Sequence, residues 1–139
     1  MLDKDIRDAI ATSWSRNIST MPNEWKEDIP FLGQTDITAL LVEDLFGHHV
    51  LKTELLMLNQ KRLIPHYCNY YIESGEAIIA DMTTPYHPEG TLLMIPFKFK
   101  PNSNLRMELF SNGDTKRRYE ALNYRTRRKL LLDESPKLG

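Results

Sequence analysis

Pro65-His66-Tyr67-Cys68-Asn69-Tyr70-Tyr71-Ile72-Glu73-Ser74-Gly75-Glu76-Ala77-Ile78-Ile79-Ala80-Asp81-Met82-Thr83 consists of two β-rich runs joined by a short polar segment containing a glycine, the pattern of a β-hairpin. With Glu73 to Glu76 as the loop, Ile72 pairs with Ala77, Tyr70 with Ile79, Cys68 with Asp81 and His66 with Thr83. Side chains alternate along strands, so this register puts His66, Cys68, Asp81 and Thr83 on one face, with Asp81 diagonal to His66. A carboxylate so placed can orient an imidazole, which is the base half of a nucleophilic triad in need of a nucleophile from elsewhere. The plainer alternatives are a structural histidine and a turn-forming aspartate ahead of Thr83-Thr84-Pro85.

A candidate element for that nucleophile lies upstream. Pro30-Phe31-Leu32-Gly33-Gln34 has loop character and leads into Ile37, Leu40, Leu41 and Leu45, apolar at the spacing of one helical face. The pattern predicts a helix from Thr35 to Phe46, stopped by Gly47. A cysteine in the first turn would ionise easily beside the positive end of the helix dipole and have an oxyanion site close by. Thr35 has a hydroxyl too weakly acidic for that, so attack would require a well-placed base. The alternative is that Thr35 is an N-cap, a contribution of about 1 kcal/mol.

The order Gly33-Gln34-Thr35 with Thr38-Ala39-Leu40-Leu41, then His66-Tyr67-Cys68-Asn69, then Asp81-Met82-Thr83, resembles the bacterial YunG-like family, as do Trp14 and Arg118-Tyr119-Glu120-Ala121-Leu122. That family looks papain-like, with a Gly-Gln-Cys nucleophile, a His-Tyr-Trp-Asn histidine and an Asp-Leu-Thr acid. The resemblance covers about residues 12 to 130 and implies that His66 is the base, Asp81 its orienting partner and Gln34 an oxyanion-type donor, with loop packing as the alternative for Gln34. Two positions depart from it: Thr35 stands where the nucleophile cysteine would be, and Cys68 stands where the tryptophan would be.

Three readings of that exchange stay open. The protein has lost thiol chemistry and keeps a pocket of His66, Asp81 and Gln34, with Cys68 and Asn69 beside it, for binding a peptide, an acyl-type group or a small metabolite. Alternatively Cys68 is a relocated nucleophile, although residues two apart on a strand are about 6.5 Å apart. In the third reading Thr35 itself attacks with help from His66, giving an active hydrolase or acyl transferase.

Composition narrows the rest. A chain of 139 residues with one cysteine suits a single domain, spanning 1–139, that needs no disulfide framework. No run of about 18 apolar residues and no leader pattern is present, so a soluble cytoplasmic protein without membrane partners is expected. Eighteen basic and nineteen acidic residues nearly cancel, leaving no global field for nucleic acid. Locally, the stretch from Lys116 to Lys129 is rich in Lys and Arg and holds one acid, Glu120. It reads as an amphipathic helix with Tyr119, Leu122, Thr126 and Leu130 on one flank, after a turn at Ser111-Asn112-Gly113-Asp114-Thr115 with a ready N-cap. Such a helix packs on the core or touches an acidic partner or phosphates, yet no nucleic-acid-binding signature accompanies it.

Four histidines, His48, His49, His66 and His87, are too scattered in sequence for a zinc signature. The isolated glycines form no dinucleotide or phosphate loop, so no cofactor or metal is expected. The remaining elements are a helix from Asp3 to about Arg16 carrying Ile6, Ala9, Ile10 and Trp14; a loop from Ser19 to Pro30; a strand within His48 to Leu58; an edge strand within Leu92 to Lys100, which holds Pro96 and closes in a turn at Pro101 to Asn104; and a further strand at Leu105 to Phe110. Together they predict an α+β fold of papain-like form, with N-terminal helices packed on an antiparallel sheet and a C-terminal helix.

Overall fold

The computed structural model describes residues 3–95 and 104–134, with side chains through 131. Helix α1 covers Lys4–Ala11 and is capped by Asp3, whose carboxylate accepts from the Asp5 N–H at 2.7 Å. It stops short of the expected Arg16. The hydroxyls of Thr12 and Ser13 turn back onto the carbonyls of Asp8 and Ala9, both at 2.7 Å, and such local bonds compete with continued helix. Trp14 therefore leaves the helix, but it stays in the core and donates its indole N–H to Thr38 Oγ1 at 2.9 Å.

Helix α2 spans Thr35–Phe46 and ends on Gly47 in the left-handed region at φ 73, as its sequence pattern requires. The N-cap is Gln34 rather than Thr35, so the N-cap alternative for Thr35 is corrected: Thr35 is the first helical residue and spends its oxygen elsewhere. Ile37 through Val42 are buried without interruption, which marks a helix enclosed on most of its circumference. The sheet covers one side and the C-terminal helix another. Just before α2, Gly33 has φ +73, and a Cβ there would lie 2.2 Å from Ser19 Oγ and 2.8 Å from two backbone nitrogens. Only glycine fits at that crossing.

Four antiparallel strands, β1 (His49–Met57), β2 (Arg62–Glu73), β3 (Glu76–Ala80) and β4 (Thr91–Met94), form one sheet in the order β3-β2-β1-β4. The β2–β3 hairpin has the expected pairs Ile72 with Ala77 and Tyr70 with Ile79. Its turn is tighter than expected: Glu73 pairs with Glu76, leaving Ser74 at φ 51 and Gly75 at φ 82, two left-handed residues as in a type I′ turn. Pairing ends at Asn69 with Ala80. The expected pairs Cys68 with Asp81 and His66 with Thr83 do not form, because the chain turns away at Asp81 into the short 3-10 turn Thr84–Tyr86. Strand β4 takes the sheet edge against β1; Pro96 and most of the expected turn after it fall outside the described residues.

Leu105–Phe110 is a helix, α3, not a strand. Leu105 and Leu109, one turn apart, join Val50, Ala39 and Leu40 in a secondary cluster. Helix α4 runs Gly113–Glu134, opened by Asn112, whose side chain accepts from the N–H groups of Asp114 and Thr115 at 2.9 and 3.2 Å. Its buried stripe is Thr115, Arg118, Leu122 and Thr126. The main core joins Ile10, Trp14, Phe31, Leu41, Leu55 and Leu122 from both helical layers and the sheet, an α+β arrangement. Among the described residues, no helix is long and apolar enough to cross a membrane.

Candidate functional site

Asp81 reaches His66 by a route different from the strand pairing the sequence suggested. The Thr83 N–H and hydroxyl both donate to Asp81 Oδ1, at 2.9 and 2.7 Å, a turn that folds the carboxylate back on β2. Asp81 Oδ2 then lies 2.6 Å from His66 Nε2. The imidazole of His66 is wholly enclosed, and the Asp81 carboxylate is only 3% exposed. Burial alone would raise the Asp81 pKa. The His66 hydrogen bond and charge, with the two Thr83 bonds, outweigh it and hold the carboxyl below the usual range.

A third titratable residue belongs to this cluster. The 3-10 turn wraps His87 onto it, placing Nε2 2.8 Å from Thr83 Oγ1 and 3.7 Å from Asp81 Oδ2. The rings of His66 and His87 are 5.8 Å apart, edge to face, and Phe31 closes on both. A hydroxyl has one proton, and Thr83 gives it to Asp81, so His87 Nε2–H is the donor to Thr83. Burial lowers the His87 pKa against the pull of Asp81. The sequence offered one signal for this residue, the Pro85 that forces a tight turn between Thr83 and His87.

The nucleophile position is engaged elsewhere. Thr35 Oγ1 accepts from the backbone N–H of Tyr67 at 3.1 Å, on the stretch of β2 that β3 no longer covers. His66 Nδ1, the ring nitrogen not held by Asp81, is buried without a hydrogen-bond partner among the described residues. No hydrogen bond therefore joins Thr35 to His66.

Gln34 is fully buried. Its carbonyl accepts from Ser15 N–H at 3.0 Å and its amide donates to Pro30 O at 3.1 Å, so it braces two loops. Cys68 is enclosed with Leu51 and Tyr70. Burial, then the Asp81 charge, pushes its thiol up to about 12. A thiol so held is neutral at physiological pH, whereas the thiolate is the nucleophilic form. Asn69 donates to the carbonyls of Ala39 and His48 at 2.9 and 3.2 Å, tying α2 to the start of β1.

Asp81 also lines a cavity of about 460 Å³ with Arg7, His48, Tyr71, Ile79 and Met82. In two of these residues a nitrogen, Arg7 Nε and His48 Nδ1, is buried without a partner among the described residues. Burial, then neighbouring positive charge, lowers the His48 pKa, so it is neutral near pH 7.

Three cations of the basic helix bond to other parts of the protein. Arg118 is buried against Asp36 and Asp114. Arg125 donates to Ser15 Oγ at 2.8 Å, and Lys129 to the Thr12 carbonyl at 2.6 Å.

These features define an α+β domain built on a buried His-Asp-His cluster without a thiolate beside it. The chain belongs to the YunG family, whose profile, described as YunG protein, matches residues 3–131. It is similar to the uncharacterized protein YunG of Bacillus subtilis (strain 168), with 42% identity over 43 residues, 31% of this chain. The match spans about a third of that relative, 35% of its length. No solved structure is significantly similar to the chain.

Proposed function

We propose that this protein is a catalytically impaired YunG-family domain of papain-like ancestry that binds a small molecule or a peptide end beside His66 and Asp81 without turning it over. The observation that carries the proposal is the missing encounter at His66: its Nδ1 meets no nucleophile, Thr35 is bonded to the Tyr67 backbone, and Cys68 is held neutral. A base without an attacking group does no acyl chemistry. The papain-like reading draws support from the order of parts, a helix entered through Gly33-Gln34-Thr35 followed by a hairpin that carries a His-Asp pair.

For binding, the cavity beside Asp81 offers a size suited to a small ligand. Arg7 Nε is a donor awaiting an acceptor, and Ile79 and Met82 supply apolar wall. That combination suits a ligand with a carboxylate on an apolar body. Gln34 contributes to the fold around the site rather than to the ligand.

A titration of the protein with short dipeptides and small carboxylates, followed by NMR shifts, tests this. Binding is expected to persist in Thr35→Ala and to weaken about tenfold or more in Arg7→Ala, which loses a charge-assisted bond. Turnover of an activated acyl ester that disappears in Thr35→Ala would instead establish the active-hydrolase reading.

A further inference from the structure

Acyl chemistry, present or lost, gives His87 no task. We propose that His66, Asp81 and His87 bind a divalent transition-metal ion of the zinc class, through His66 Nε2, His87 Nε2 and Asp81 Oδ2. One ligand atom from each residue lies within 4.8 Å of the other two. In a tetrahedral site with bonds of about 2.0–2.1 Å to nitrogen and oxygen, neighbouring ligand atoms stand about 3.4 Å apart. The two separations at Asp81 Oδ2, 2.6 Å to His66 and 3.7 Å to His87, bracket that value. Side-chain shifts on the order of 1 Å complete the geometry.

The donor set selects the class of ion. Two imidazoles and one carboxylate suit zinc and its neighbours in the first transition row, whereas magnesium and calcium prefer oxygen cages. The surroundings are those of a ligand shell. Thr83 fixes Asp81 Oδ1 with two hydrogen bonds, which leaves Oδ2 as the monodentate ligand and orients it. On binding, the proton of His66 moves from Nε2 to Nδ1, and His87 exchanges its Thr83 bond for the ion. Three protein ligands leave a fourth position for water or for a group of a bound molecule, and Asp81 already lines the cavity.

The sequence spacing conceals this site. His66 and His87 stand on opposite sides of a hairpin and a turn, so no short motif announces them.

Isothermal titration of the chelator-stripped full chain with zinc ion alone tests the proposal, with cobalt ion absorption as a second readout. One equivalent is expected, with cobalt giving the intense visible bands of a four-coordinate site. Because His66 is wholly enclosed, the decisive variant is the half-buried His87→Ala, expected to weaken zinc at least tenfold, while Thr83→Val weakens it about tenfold through the orientation of Asp81. His49→Ala, exposed at the start of β1, is expected to bind as the wild type does. The proposal is overturned if the folded wild type gives neither heat nor cobalt bands, or if His87→Ala retains full affinity. A protein that takes zinc but no carboxylate ligand keeps this site and loses only the ligand proposal above, so the two fail separately.

Discussion

Arg118 reaches from α4 into the protein and meets Asp36 through both terminal nitrogens, at 3.1 and 2.6 Å, while its Nε donates to Asp114 at 2.9 Å. The carbonyls of Ile18 and Gly33 and the hydroxyl of Thr115 fill in around it. His66 is as deeply enclosed, yet only one of its ring nitrogens is bonded. A saturated buried charge joins elements, here α2, α4 and the turn at Gly33. A buried polar group left unsatisfied costs free energy that something outside the chain can recover. The first cluster ties elements of the fold together, and the second is where the proposals above place a ligand or an ion.

The largest test of that contrast is Arg118→Ala. Removing one partner of a buried pair leaves Asp36 uncompensated and is expected to cost about 3–5 kcal/mol in chemical denaturation. Gly33→Ala, beside the same cluster, forces a Cβ into backbone and a left-handed φ, and is expected to cost about 1–3 kcal/mol. His87→Ala should lower stability by less than about 1 kcal/mol, because His66, Asp81 and Thr83 keep their mutual bonds without it. A loss as large as that of Arg118→Ala would erase the distinction between the clusters.

Acid sharpens the comparison further. His87 and His48 have folded pKa values below the ordinary 6.5, and Asp81 lies below 3.8. In each case the unfolded chain takes up the proton first, so the stability these groups contribute is present above the unfolded value and is lost as pH falls through the folded one. Denaturation midpoints should decline in two stages, beginning below about 6.5 and again below about 3.8, and His87→Ala should shrink the first. The smallest effect is expected from Arg127→Ala with Arg128→Ala. Both side chains are exposed, and among the described residues they bond to Asn123 and Tyr124 within α4, so the midpoint should not move measurably.

What could be read from the sequence was local. Helix α2 and the hairpin register followed from apolar periodicity and from Gly47 and Ser74-Gly75 at turns that tolerate left-handed backbone. The His66 and Asp81 pairing was anticipated for the wrong reason: pairing along the ladder was expected, and an aspartate turn delivers it. Leu105 to Phe110 is too short for its periodicity to separate helix from strand. Gln34, Cys68 and Asn69 kept their uses hidden because each depends on partners distant in sequence, at Ser15, Leu51 and Ala39. His87 was hidden for the same reason, since a single turn decides whether it faces solvent or Asp81.

The most direct test is the rate of iodoacetamide alkylation against pH for the native wild type and for Thr35→Cys. With Cys68 pushed up to about 12 and no thiol at the helix terminus, the wild type should resist alkylation below about pH 9, while Thr35→Cys should react with an apparent pKa below the ordinary 8.5, drawn down by the helix dipole. Rapid alkylation of native wild-type Cys68 near neutral pH would contradict the account.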